Sequence, residues 1–273
     1  GLFFMENISR KRAKYHSPVK GGIKEKKKVK LNFSKAILSF GFCFLVFFIS
    51  FLFPVLQMLY WTIIFPKNLF DLNTLQLFGN TIYLVFLSSI VLVIFSFISN
   101  YGNRVTKSKF LNYLTTFSIT GYAIPGVILA VAFITFIAWF DDTFVKAFEF
   151  NSIKKIFIGS VFGLVIVYFI RFYSLAYNGL KTGYERINRS IDESSYLLGY
   201  SKIKTFLGIH VPYLKNSIFL IGILITIEVI KELPITLILR PFNFETFATT
   251  AYIFASQDLL EAAAVPSLFL ILI

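Results

Sequence analysis

Residues 192–212 read DESSYLLGYSKIKTFLGIHVP, a polar interruption between apolar runs at 156–177 and 217–239. Those flanks decide the fold. The chain has 273 residues, 56% of them hydrophobic and 19% aromatic with 35 Phe, which is too apolar for a soluble domain of this length. Several runs approach or exceed the ~20 apolar residues that a helix needs to cross a hydrocarbon core of about 30 Å. Inside lipid, backbone polarity then demands helices or a closed barrel. The runs are continuously apolar with no period-two alternation, so an all-α, polytopic membrane helical bundle is expected.

Working outward, six spans are expected at about 36–61, 78–98, 113–139, 156–177, 217–239 and 259–273, the last cut short. The formal charge is +13, and its position matters more than its size. Eleven of the 27 Lys and Arg fall in residues 1–35, directly before the first span. With that end in the cytoplasm, inner segments 1–35, 99–112 and 171–216 hold 21 of the 27. The outer loops keep Lys67, Lys146, Lys154, Lys155 and Arg240, and Lys231 alone lies within a span. This asymmetry follows the positive-inside rule. The expected organisation is a basic cytoplasmic linker (1–35) and a membrane domain (36–273) with a cytoplasmic loop at about 178–216. The single Cys43 can form no intrachain disulfide.

Within the loop, Ile191, Ser195 and Leu198 recur at helical spacing, and so do Ile203, Phe206, Leu207 and His210. Gly199 between them can take the left-handed conformation that closes a helix, and Ser201 can cap the next. Pro212 is expected to end that second helix before the chain returns to the membrane near Asn216 and Ser217. In the third span, GYAIPG (121–126) sets Pro125 between two glycines, a place for a packing kink or for a hinge lining a pathway. The fifth span carries Glu228, Lys231 and Glu232, with Pro234 directly after, where it is expected to loosen the helix. Charges at depth are costly and turn toward protein or water. Spacings of three and four put Glu228 beside both others on one face, as an internal salt bridge or as the lining of a path.

Glu193, the small Ser194 and Ser195, Gly199, and the ending Ile209, Val211, Pro212 resemble, in order, the cytoplasmic signature of type I ABC importer permeases. Serines stand where alanines are usual and Val211 where leucine is usual, and both changes keep size or apolarity. The resemblance implies a coupling helix that inserts into a cleft of an ATP-hydrolysing partner. Two such subunits would bind ATP and Mg, this chain holding no cofactor and performing no chemistry itself. It also implies an external solute-binding protein and a bacterial inner-membrane location. EVIKELPITLILRPFNFETFATTAY (228–252), EAAAVP (261–266), YAIPG (122–126) and KYH (14–16) look like the second half of ferric iron permeases, which fuse two six-span halves. The resemblance covers nearly all of the chain and implies a C-terminal half truncated at both ends. Glu228, Lys231, Glu232, Pro234, Pro125 and Gly126 are then the candidate path or gate.

Permeases for thiamine, polyamines or phosphonates share the loop signature and compete at the level of cargo. No carboxylate–tyrosine cluster is visible, and His16 and His210 are both assigned to the cytoplasm, so iron ligands would come from the external binding protein. An intramembrane enzyme would need a nucleophile with its base, or HExxH, within a span, and neither is present. A passive channel or structural membrane protein has no reason to carry the 193–212 pattern. A basic flank beside a span reads as a membrane anchor rather than a nucleic-acid arm, so membrane lipid is the expected partner there.

Overall fold

The computed structural model describes residues 31–65, 72–106, 108–147 and 159–273, with no strand among them. Most of the 1–35 linker, with His16, and Lys67, Lys107, Lys154 and Lys155 lie outside the described residues. Contacts divide the chain after Leu52. The first unit contains helix α1 (Phe33–Phe47), capped by Asn32, and a π turn Phe48–Leu52; no side chain of either is buried. The second unit holds α2 (Phe53–Ile64), α3 (Leu72–Thr106), α4 (Lys109–Ile119), α5 (Gly126–Ala147), α6 (Val161–Glu185), α7 (Arg189–Leu197), α8 (Lys202–Thr205), α9 (Val211–Ile230), α10 (Pro234–Leu239), α11 (Phe247–Ser256) and α12 (Leu260–Leu272).

Five helical runs among the described residues are long and apolar enough to cross a bilayer: Phe33–Ile64, Thr74–Thr106, Gly126–Thr143, Val161–Glu185 and Lys202–Ile230. The chain is a multi-pass helical membrane protein. Two expected spans need correction. The third, 113–139, is two helices, because the missing amide of Pro125 and its push on the preceding residue leave Ile124 extended (ψ 128°) after a 3-10 turn Thr120–Ala123. The fifth begins at Lys202, fifteen residues before the expected 217, and stops at Ile230. Pro212 therefore does not end a helix. A π turn at Phe206–His210 precedes it, and the wider ring leaves room for a proline whose ring would otherwise strike the carbonyl one turn back. The sixth, expected short at 259–273, is the 13-residue α12, about 20 Å long, and packs beside a short helix α11 that the spacing did not announce.

The core lies among α3, α6 and α9. Leu92, Leu164, Tyr168, Phe172, Leu180 and Ile225 are almost wholly enclosed there. Lipid tails are as apolar as these side chains, so close fit and cross-helix hydrogen bonds hold the helices together. Gly179 and Gly183, four apart on α6, supply the fit. A Cβ on Gly179 would stand 2.8 Å from Ile221 Cδ1, and one on Gly183 3.0 Å from Leu214 Cδ2. Asn100 Nδ2 donates to Tyr177 O at 3.1 Å, and Ser89 and Thr226 share a 3.3 Å bond. Outside this trio, α10 packs on α5 and α6, and α12 on α2 and α11.

Gly121 sets the 3-10 turn directly on α6, where any Cβ would overlap the carbonyl oxygen of Ile170. Gly121→Ala should therefore cost about 1–3 kcal/mol of stability. Thermal melting of the solubilised protein checks this, and an unchanged midpoint would mean that the turn stands off α6.

Candidate functional site

The 189–210 segment folds as expected locally. Asn188 caps α7 by accepting from Ser190 N at 3.4 Å. At the other end Gly199 adopts φ +82°, with Gly199 N donating to Tyr196 O (3.0 Å) and Tyr200 N to Ser195 O (3.1 Å), a Schellman closure. Ser201 then caps α8 at the amide of Lys204. The two short helices pack through a hydroxyl pair, Ser195 Oγ and Thr205 Oγ1, 2.7 Å apart and buried. The small side chain at 195 thus serves the chain's own helix pair, whereas Glu193 and Ser194 are exposed.

The side-chain distribution of this unit inverts the usual one. Asp192, Ser195, Thr205 and His210 face inward, while Leu197, Leu198, Ile203 and Leu207 are 89%, 77%, 71% and 59% exposed. Of the residues that recur at helical spacing, Ser195 and His210 are buried, whereas Leu198, Ile203 and Leu207 are exposed. An ionic clasp that the spacing did not reveal takes their place. Arg104, on the last turn of α3, sends Nε to Asp192 Oδ2 at 2.6 Å. Its Nη1 and Nη2 donate to the carbonyls of Tyr184 (3.1 Å), Ile187 (3.0 Å) and Asn188 (3.1 Å) at the end of α6. A cation there also meets the negative pole of α6, and Asp192 sits in the first turn of α7, where an anion is favoured. The other oxygen of Asp192 lies 2.8 Å from Nε2 of the fully buried His210. Tyr101 and Tyr184 pack on the imidazole, and Tyr101 Oη donates to Lys202 O at 2.6 Å. The unit is thereby fastened to α3, α6 and α9 together.

A second constellation joins two helix breaks. Glu232 follows the end of α9, is buried, and accepts from Ile235 N at the start of α10 (3.5 Å). Pro234 begins α10, where its lack of an amide costs nothing, so it restarts a helix instead of loosening one. Arg171 of α6 reaches both breaks: Nε lies 3.3 Å from Glu232 Oε2, and Nη1 donates to Ile124 O at 3.1 Å. Gly126, at the start of α5, is wedged between them, since a Cβ would come within 2.8 Å of both Arg171 Nη1 and Glu232 Oε1.

The expected trio of Glu228, Lys231 and Glu232 is therefore split. Lys231 binds Glu228 at 2.7 Å with its side chain 61% exposed, whereas Glu232, beyond the helix end, turns inward to Arg171. The structure brings Gly126 and Glu232 together, with Pro125 and Pro234 beside them in sequence, and leaves Glu228 apart. Arg171, assigned by sequence to an inner segment, lies midway along the Val161–Glu185 helix, and Lys231 lies at a helix end. The signal was present: VFGLVIVYFIRFYSLAY (161–177) puts a lone cation in an apolar run, which demands a buried partner. Farther along, Arg240 pairs with Glu245, which also accepts from Thr249 Oγ1 at 2.8 Å. No group of three or more His, Cys, Asp or Glu side chains lies together among the described residues.

No protein-family model matches the chain. It is 22% identical, over 245 residues and 89% of its length, to the Fe(3+)-transport system permease protein FbpB 2 of Haemophilus influenzae. That match covers 46% of the relative, so the chain spans about half the length of the protein it resembles. The resemblance to a ferric iron transport permease thus extends over nearly the whole chain.

Proposed function

We propose that the chain is one half, the C-terminal one, of the membrane-spanning permease of an ABC importer, and that its cargo is ferric iron. In this reading α7 is the coupling helix. Two ATP-hydrolysing subunits close on ATP and Mg, push α7, and swing the spans so that the path opens to a docked external binding protein. Hydrolysis resets it. The observation that carries the reading is the inverted helix pair: polar groups bind it to three long helices, and its bare leucines and isoleucine face away from the chain. A lever must be stiff where it joins the bundle and adhesive where it meets its driver, and a rigid unit transmits rigid-body motion. The excess of Lys and Arg on the same side persists with Arg171 moved into a span, and it supports a cytoplasmic N-terminal segment in the inner membrane.

The Arg171–Glu232 joint is the gate element in this scheme. The chain breaks at Pro125–Gly126 and at 231–233 are its pivots, and the Glu228–Lys231 pair stands at its mouth. The chain itself performs no chemistry, and the iron ligands belong to the external protein.

Two substitutions test the lever. Gly199→Pro forces φ toward −65° where +82° is needed. Leu197→Asp places a charge on a side chain that is 89% exposed and leaves the fold intact. Each should lower binding-protein-stimulated ATP hydrolysis by the reconstituted complex about tenfold or more, the loss expected of a central apolar anchor. Undiminished stimulation in Leu197→Asp would remove α7 from the coupling role. Uptake of labelled Fe³⁺ against thiamine and a polyamine in the same vesicles decides the cargo.

A further inference from the structure

We infer that the cleft where α3, α4 and α6 converge is a binding site for a phospholipid with an anionic phosphate headgroup. The cleft measures about 590 Å³, roomy enough for a hydrated glycerophosphate. Two membrane-length helices end at it, α3 at Thr106 and α6 at Glu185, which puts it at the depth of the headgroups.

Its rim is cationic. Lys181, Arg186 and Arg189 are exposed and form no ion pair within the described residues, and Glu185 is the one acid among them. Arg104 also lines the cleft, but Asp192 and three carbonyls take four of its five N–H donors. An anion entering the cleft thus meets a surplus of positive charge that no other described residue neutralises. The floor is polar. The hydroxyl of the buried Tyr177 accepts from Asn103 Nδ2 at 2.9 Å and keeps its proton for another acceptor.

A free phosphate would need only the rim, but the neighbouring helix adds a surface for acyl chains. Phe110, Tyr113, Leu114 and Phe117 of α4 recur at helical spacing and are 71%, 70%, 43% and 69% exposed, beside Asn112, which lines the cleft. Basic pockets between spans with an apolar wall alongside are the arrangement that takes acidic headgroups. The inference rests on the membrane topology alone and is independent of the transport reading.

The test is native mass spectrometry of the full-length protein titrated with phosphatidylglycerol or phosphatidylcholine, with inorganic phosphate as competitor. Phosphatidylglycerol should bind at least tenfold more tightly than phosphatidylcholine. The triple variant Lys181→Gln, Arg186→Gln, Arg189→Gln should lose on the order of a hundredfold in affinity for phosphatidylglycerol and nothing for phosphatidylcholine. A second variant with the same charge change, Lys202→Gln, Lys204→Gln, Lys215→Gln, should retain the preference. All six side chains are exposed, so both variants should melt as the parent does. Equal affinity for the two lipids overturns the site, as does an equal loss in both triple variants, which would signal diffuse attraction. Displacement of the lipid by millimolar phosphate would assign the cleft to a soluble anion instead.

Discussion

Replacing Arg171 by Gln destabilises the protein by about 3–5 kcal/mol, because it leaves the Glu232 carboxylate buried without its partner. That carboxylate is only 8% exposed, and its other contact within the described residues is a long 3.5 Å bond from Ile235 N. The same substitution removes the donor from Ile124 O, so both helix breaks lose their tie at once. The double variant Arg171→Gln, Glu232→Gln keeps the shape without the charges and should recover at least half of the loss, since replacing a buried pair costs far less than orphaning one member. Thermal melting of Arg171→Gln, Glu232→Gln and the double variant measures this cycle. Additive losses would show that the two side chains act independently. If the joint is the gate, the double variant also separates the roles: it should fold, yet in the reconstituted complex the ATP hydrolysis of the partner subunits should no longer respond to the binding protein.

Arg104→Gln should be nearly as damaging, and in a different place. It strips a charge-assisted bond from Asp192 and three donors from the end of α6, leaving Asp192 with His210 alone. A loss of about 3–5 kcal/mol is expected for breaking so enclosed a pair, whereas Asp192→Asn, which retains a hydrogen-bonding side chain, should cost about 1.5–3 kcal/mol. The damage should be local. Amide hydrogen exchange should quicken over 188–205 and stay slow in the cores of α3 and α9, since separate cooperative units open with separate free energies. Uniform quickening would mean that the clasp supports the whole bundle, and no change that the hydroxyl pair and aromatic packing suffice.

These two residues also mark the limits of reading the chain by pattern. The apolar runs, the break at Gly199 and the cap at Ser201 were legible because each depends on neighbours a few residues away. Pro212 and Pro234 were misread for the same reason. A proline forbids one local geometry without saying what replaces it, and here a π turn and a restarted helix do. Spacing set Leu198 with Ser195, and Ile203 and Leu207 with His210, but an amphipathic period reports a face and not the direction in which that face turns.

By itself the sequence determined that this is a multi-pass helical membrane protein with a helix–turn–helix interruption, because bilayer thickness, backbone polarity and glycine's tolerance of positive φ act locally along the chain. Only the tertiary structure decided the pairings of Arg171 with Glu232, of Arg104 with Asp192 and of His210 with Asp192, separated by 61, 88 and 18 positions. A charge within an apolar segment announces that a partner must exist. Which partner it finds depends on how the helices cross, and that is set by close contacts such as those at Gly121, Gly179 and Gly183, which exist only once distant segments meet.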